Sequence, residues 1–204
     1  MNIERTHWDT QAAHWIGGAW LPSASTFASI NPADGSLIGH APAGGVTEAR
    51  AAIDAARHAF EITPWRRSPR LRAQVLLDMA SRLAADAGSL ALLLTLENGK
   101  VLRESAGEVE GAASELRYYA GMARSAAGRV VEPVPGVRSL ITHEAAGVVA
   151  IIVPWNAPLI LFVRSLAPAL AAGCTVVVKA APQAALFMHR VAQRLAETEG
   201  LPPG

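Results

Sequence analysis

The sequence predicts an α/β protein with a largely helical amino-terminal region, then the first βαβα half of a doubly wound sheet, with a short β-ribbon projecting between them. Three observations predict it. From Thr47 to Ala127 apolar residues recur at spacings of three and four, the period of helices that bury one face. Val137 to His143 alternates in apolar character, as a half-exposed ribbon does. After Gly147, two β-branched apolar runs each lead into a helical stretch, the pattern of strands buried in a parallel sheet.

Composition narrows the function classes. The chain has 204 residues, 51% hydrophobic and 17% charged, which favours a well-buried core over disorder. Eighteen basic against 17 acidic residues leave a net charge of +1, and no Lys/Arg run has the density of a nucleic-acid arm or a polybasic membrane patch. Nucleic acid and membrane are therefore not expected partners. The start, Met1 to Trp8, has no apolar core of the signal-peptide kind, and the single cysteine, Cys174, has no internal disulfide partner, so a cytoplasmic setting is expected. The long apolar stretch Gly147 to Ala172 is interrupted by Pro154, Trp155, Asn156, Pro158, Arg164 and Pro168, which suits a buried strand and helix better than a membrane span.

The elements follow in order. Trp15 to Trp20 places Gly17-Gly18 between aromatic and apolar residues, the chemistry of a tight hairpin. Extended pieces are expected near Thr26–Ile30 and Leu37–His40, around the turn Asn31-Pro32-Ala33-Asp34-Gly35. Thr47 is read as the cap of a helix with a face of Ala49, Ile53, Ala56 and Phe60. Ser68-Pro69 opens a second helix through Leu71, Val75, Leu76, Met79 and Leu83. A third spans about Ser89 to Asn98 and stops at Gly99. A fourth runs from about Leu102 to Ala127 with a face of Val109, Ala112, Leu116, Tyr119 and Ala123.

Extended runs Arg129–Val131 and Val137–His143 form the ribbon, whose open edges invite pairing with another chain. Gly147–Val153 and Thr175–Lys179 are strands buried on both faces, with helices at about Pro158–Ala172 and Gln183–Glu199. Segments 1–128, 129–146 and 147–204 follow as a mostly helical part with short edge strands, a ribbon, and the first half of a Rossmann-like sheet. A third parallel strand is expected after Leu201-Pro202-Pro203-Gly204.

In such sheets ligands sit beyond the carboxyl ends of the strands. Pro154-Trp155-Asn156-Ala157-Pro158 and Lys179-Ala180-Ala181-Pro182 occupy that place. Asn156 is either a turn asparagine or an amide donor to an oxyanion. Lys179 is either a lysine snorkelling from a strand end or an ammonium facing nucleotide hydroxyls or phosphate. Neither a G-x-G-x-x-G nor a P-loop accompanies them. His143-Glu144 begins a zinc-protease-like motif, but Gly147 stands at its second histidine position, so no metal site is expected.

The block Gly147-Val148-Val149-Ala150-Ile151-Ile152-Val153-Pro154-Trp155-Asn156, followed by Leu166-Ala167-Pro168-Ala169-Leu170-Ala171-Ala172-Gly173-Cys174-Thr175-Val176-Val177-Val178-Lys179, resembles the aldehyde dehydrogenase superfamily. Ile16-Gly17-Gly18, Asn31-Pro32-Ala33-Asp34-Gly35, Trp65-Arg66, Glu97-Asn98-Gly99-Lys100 and Tyr118-Tyr119-Ala120-Gly121 agree in order, so the resemblance covers nearly the whole chain. It implies oxidation of a small-molecule aldehyde to a carboxylic acid with NAD or NADP, through a cysteine thiohemiacetal and thioester. Asn156 would donate its amide to the oxyanion of that adduct. Ile152, Val153, Pro154 and Trp155 would pack on the cofactor, Lys179 would hydrogen-bond the adenosine ribose, and Ala181 and Pro182 would lie beside it. The ribbon would serve a homo-oligomer.

Several positions depart from the family pattern. Ala180 stands for a frequent proline, Pro182 for a ribose-touching acidic or hydroxyl residue, Ala157 for an aromatic, and Arg164-Ser165 for a Trp-Lys pair. NAD against NADP is thus left open. Cys174 matches the residue entering the second buried strand, so it reads as a core residue and not as the nucleophile. The family's cysteine nucleophile, general-base glutamate and glycine-rich pyrophosphate loop come later in its order than position 204. Resemblance therefore implies an amino-terminal piece without the catalytic domain, inactive alone. Glu97, Glu104 and Glu108 read as surface charges. Two further readings stand beside this one: a non-catalytic assembly partner of a full-length homologue, and a degenerate fragment that folds poorly.

Overall fold

The computed structural model describes residues 8–203. Of the start whose character bears on targeting, Met1 to His7 lie outside the described residues, as does Gly204.

The chain opens with two hairpins. Strand β1 (His14–Ile16) pairs antiparallel with β2 (Ala19–Leu21). Gly17 and Gly18 both adopt positive φ, 61° and 79°, as a two-residue turn matching the strand twist requires. Strand β3 (Thr26–Ile30) pairs antiparallel with β4 (Leu37–Pro42), which runs two residues past the expected His40. In their turn the Asn31 side-chain oxygen accepts the Ala33 amide at 3.0 Å, the Asx geometry that asparagine favours there.

Helix α1 (Val46–Ile62) starts one residue before Thr47, with Gly45 as its N-cap. Thr47 is therefore inside the first turn, and the cap is made in reverse: the Glu48 carboxylate accepts the Gly45 amide at 2.7 Å. The buried face is Ala56, Ala59 and Phe60, whereas Ile53 is 48% exposed and Ala49 is exposed. The alanine stripe lies against the parallel sheet, close enough for the Thr175 hydroxyl to donate to the Ala56 carbonyl at 2.9 Å.

Helices α2 (Pro69–Ala85), α3 (Ala87–Asn98) and α4 (Leu102–Ser125) follow. The Ser68-Pro69 start is present, although the Ser68 side chain makes no cap bond. Gly99 ends α3 at φ 84°, a left-handed C-cap conformation. Leu76, Met79 and Leu83 of α2, Leu90 and Leu94 of α3 and Val109, Ala112 and Leu116 of α4 are fully or almost fully buried. They join Leu159, Phe162, Val163 and Leu166 of α5 (Pro158–Ala172) and Phe187 and Val191 of α6 (Ala185–Ala196) in one cluster. Each such aliphatic or aromatic side chain contributes roughly 1.5–3 kcal/mol by leaving water. The helical segment and the βαβα segment thus share a single core.

Strands β5 (Arg129–Val134) and β6 (Val137–Ile141) form an antiparallel pair turning at Gly136, φ 83°, with every strand residue exposed. Helix α4 ends at Ser125, short of Ala127, and β6 ends short of His143.

Strands β7 (Val148–Ile152) and β8 (Thr175–Lys179) pair in parallel, with α5 as the connection between them. The expected burial on both faces does not hold. Ile151 and Thr175 are the only buried residues of the two strands, and Ile152 is 76% exposed. These two strands form a sheet with no further partner among the described residues. The last helix is also shorter than the expected Gln183–Glu199: a 3-10 turn at Pro182–Ala184 precedes Ala185–Ala196. Among the described residues no single helix is long and apolar enough to cross a membrane.

Candidate active site

Parallel pairing brings both expected site segments to one edge. Ile152 lies opposite Lys179, and the Val153 amide donates to the Lys179 carbonyl at 3.0 Å. The chain therefore leaves the sheet through Pro154-Trp155-Asn156 directly beside Lys179. Ile152, Pro154, Trp155, Asn156, Lys179 and Pro182 are exposed. Val153 and Ala181 are buried, at 3% and 6% exposure. A cleft of about 860 Å³ runs along β8 from Thr175 to Lys179, lined also by Trp15, Pro182, Met188 and His189. Trp155 and Asn156 lie outside its lining.

The loop after β7 is held by the elbow between α3 and α4. Asn98 donates its side-chain amide to the Trp155 carbonyl at 2.6 Å, and the Lys100 ammonium donates to the Asn156 carbonyl at 2.8 Å. Lys100 also pairs with Glu108 at 2.6 Å. The other Glu108 oxygen accepts the Leu159 amide at 2.7 Å and the Ile160 amide at 3.3 Å. The first amides of a helix have no partner within it. Ala157, the N-cap of α5, has no side-chain acceptor, so Glu108 supplies one.

The same arrangement recurs at the second strand. Glu97, in the last turn of α3, accepts the Leu186 amide at 2.9 Å, the Phe187 amide at 2.8 Å and the Ser29 hydroxyl at 2.7 Å. Burial pushes its carboxyl above the ordinary value, against the lowering effect of the Phe187 amide, the Ser29 hydroxyl and the Leu186 amide. Carboxylates thus stand at the positive ends of α5 and α6, where helix dipoles favour negative charge.

Glu97 and Glu108 are not surface charges; they are 5% and 9% exposed, while Glu104 is exposed as expected. Their burial has a signal in the sequence. Glu97 follows Leu93 and Leu94 by four and three residues, and Glu108 precedes Val109 and Ala112 by one and four. Each therefore sits on the apolar face of its helix.

Cys174 lies at the opposite end of β8 from Lys179, buried at 3% exposure. Its carbonyl accepts the Trp65 indole N–H at 2.9 Å. Next to it the buried Arg72 donates from Nε to the Ala171 carbonyl at 3.0 Å and from Nη1 to the carbonyls of Trp65 at 2.9 Å and Arg66 at 3.0 Å. Among the described residues no three His, Cys, Asp or Glu side chains group as a metal site, and His143 is exposed.

The family model described as "Aldehyde dehydrogenase family" matches residues 20–204. The chain belongs to the aldehyde dehydrogenase family. The mitochondrial succinate-semialdehyde dehydrogenase of Homo sapiens is 38% identical over 192 residues, covering 93% of this chain and 35% of the human protein. A betaine aldehyde dehydrogenase from Staphylococcus aureus, solved in complex with NAD+, superposes with a TM-score of 0.90 at 33% identity, covering 97% of this chain and 39% of that one. A structure described as an E. coli NADP dependent enzyme superposes with a TM-score of 0.89 at 36% identity, covering 96% and 40%. This aldehyde dehydrogenase chain therefore spans well under half the length of the relatives it matches.

Proposed function

We propose that these residues supply one wall of an NAD(P)-dependent, aldehyde-oxidising site, the substrate being a small-molecule aldehyde and the product its carboxylic acid. The observation that carries this reading is the pairing of Ile152 with Lys179 in a parallel ladder, which sets Asn156 and Lys179 at one sheet edge. In this reading the Asn156 amide donates to the oxyanion that develops as a thiolate adds to the aldehyde. Lys179 hydrogen-bonds the cofactor's adenosine ribose. Exposed Ile152, Pro154 and Trp155 provide the apolar surface against which the cofactor packs, with Pro182 and the main chain of Val153 and Ala181 beside it. The choice between NAD and NADP is open, since relatives named for each are similarly close to this chain.

Residues 1–204 by themselves do not oxidise aldehydes in this reading. Their one cysteine is buried at the far end of β8 from Asn156, and no other thiol is available for the adduct. A reducing compartment such as the cytoplasm suits this unpaired thiol.

Titration calorimetry with NAD+ and with NADP+ tests the cofactor half of the reading: Lys179→Ala weakens binding about ten-fold, and an unchanged affinity overturns the assignment of Lys179. For the oxyanion half, Asn156→Ala is assayed in the longest natural chain that contains this segment. A kcat lower by about 10²–10³ is expected, and an unchanged kcat removes Asn156 from the mechanism.

The exposed ribbon favours a second, compatible reading as an assembly surface. Val130 and Leu140, at 64% and 75% exposure, lie opposite one another on β5 and β6, and strand edges of this kind pair with another chain. We propose homo-oligomerisation through it; sedimentation as a monomer at high concentration counts against it.

A further inference from the structure

We propose that Lys100 is a positioning residue for Asn156, fixing where the proposed oxyanion donor stands. The inference rests on the reading of Asn156 given above and extends it to residues of a different segment. Its basis is a convergence on one side chain. The Lys100 ammonium, 13% exposed, reaches both the Glu108 carboxylate at 2.6 Å and the main-chain carbonyl of Asn156 itself at 2.8 Å. The same carboxylate holds the amides of Leu159 and Ile160.

One carboxylate and one ammonium thus tie the last turn before α5 to its first amides, with Asn156 between them and Ala157-Pro158 as the only intervening residues. An exposed strand-to-helix loop without such ties samples several backbone conformations. A donor must stand 2.7–3.1 Å from an oxyanion to stabilise it, and small displacements of positioning elements are costly to rate. Charge-assisted bonds of this length are about twice as strong as neutral ones, and the 5% exposed carboxyl of Glu108 lowers the competition from water. Asn98, on the carbonyl of Trp155 at 2.6 Å, adds a neutral tether one residue earlier. The arrangement makes the α3–α4 elbow a support for the loop, so that α3 and α4 act on the site without touching a ligand.

The test uses the 204-residue chain, ¹⁵N-labelled, with NMR of the backbone amides of Asn156 and Ala157 and hydrogen exchange at Leu159 and Ile160. In Lys100→Met, exchange at Leu159 and Ile160, whose amides Glu108 holds, rises about ten-fold or more. The backbone amide shifts of Asn156 and Ala157, which flank the carbonyl that Lys100 holds, move toward averaged loop values, while amides of Leu76, Leu94 and Leu116 keep their protection. Lys100→Arg, which keeps a charged donor, restores most of the native pattern. Unchanged exchange and shifts in the Met variant overturn the proposal, as does loosening spread evenly over the core. If the Met variant does not fold, Lys100→Gln, similar in length but uncharged, is read at the same positions with the same criteria. These amides report on positioning whether or not Asn156 contacts an oxyanion. Failure here is therefore distinct from an unchanged kcat in Asn156→Ala.

Discussion

The Glu97 carboxylate accepts the Phe187 amide at 2.8 Å across a separation of 90 residues, joining the end of α3 to the beginning of α6. Its second oxygen takes the Leu186 amide and the Ser29 hydroxyl, so one buried side chain ties the β3–β4 hairpin, the helical segment and the helix after β8 together. Glu97→Ala leaves two amides and a hydroxyl without an acceptor. Unmet buried groups cost about 1–3 kcal/mol each, with relaxation and water recovering part, so a loss of roughly 2–4 kcal/mol is expected. Glu97→Gln, which still accepts, loses about half as much. Urea unfolding checks both, and a midpoint for the Ala variant equal to that of the parent refutes the role.

His189 makes stability depend on pH. The side chain is 9% exposed, its Nδ1 accepts the Ala13 amide at 3.4 Å, and its ring meets Trp20 edge-on at 4.8 Å. Burial holds its pKa below the ordinary 6.5, opposed by Asp9, with Arg190 adding to the depression. A depressed folded value means that the unfolded chain binds the proton more readily. The contribution is therefore fully present above about pH 6.5 and is lost as the pH falls from there through the lowered folded value. Urea midpoints measured from about pH 7.5 to about pH 5 decline for the parent. His189→Phe, which keeps the aromatic contact with Trp20, lacks that component; parallel profiles for the two proteins contradict the assignment.

Cys174 is expected to behave as a core residue. At 3% exposure its thiol reacts with an aromatic disulfide reagent at least about a hundred-fold more slowly in the native chain than in denaturant, because reaction requires opening of the structure. Cys174→Ala keeps the Trp65 bond, which is made to the carbonyl, and leaves cofactor affinity unchanged. Rapid labelling of the folded protein, or loss of cofactor binding in the Ala variant, contradicts this.

Much of the fold was legible in the chain because local patterning and tertiary packing agree. Helix α5 and strand β8 occur at the residues that Pro158 and the Gly173-Cys174 step delimit. The hairpin at Gly17-Gly18 and the left-handed cap at Gly99 likewise follow from residues that tolerate positive φ. Of the face expected for α1, Ala56 and Phe60 are buried, whereas Ala49 and Ile53 are exposed and Ala59 is buried instead. The sheet is approached by alanines, and close approach favours small side chains, so hydrophobicity alone selects only part of the stripe. The two strands were read as buried on both faces from composition alone, although covering a face requires neighbours outside the strand.

By itself, then, the sequence determined the order of most elements, the place of Asn156 and Lys179 at the carboxyl ends of the two parallel strands, and the family to which the chain belongs. These are properties of local periodicity and of motifs held in register. Only the tertiary structure decided which helix amides Glu97 and Glu108 cap and that Lys100 reaches the Asn156 carbonyl. A carboxylate on an apolar helix face is costly unless something satisfies it, and the amides that Glu97 and Glu108 cap lie between 51 and 90 residues away, beyond what any local pattern records.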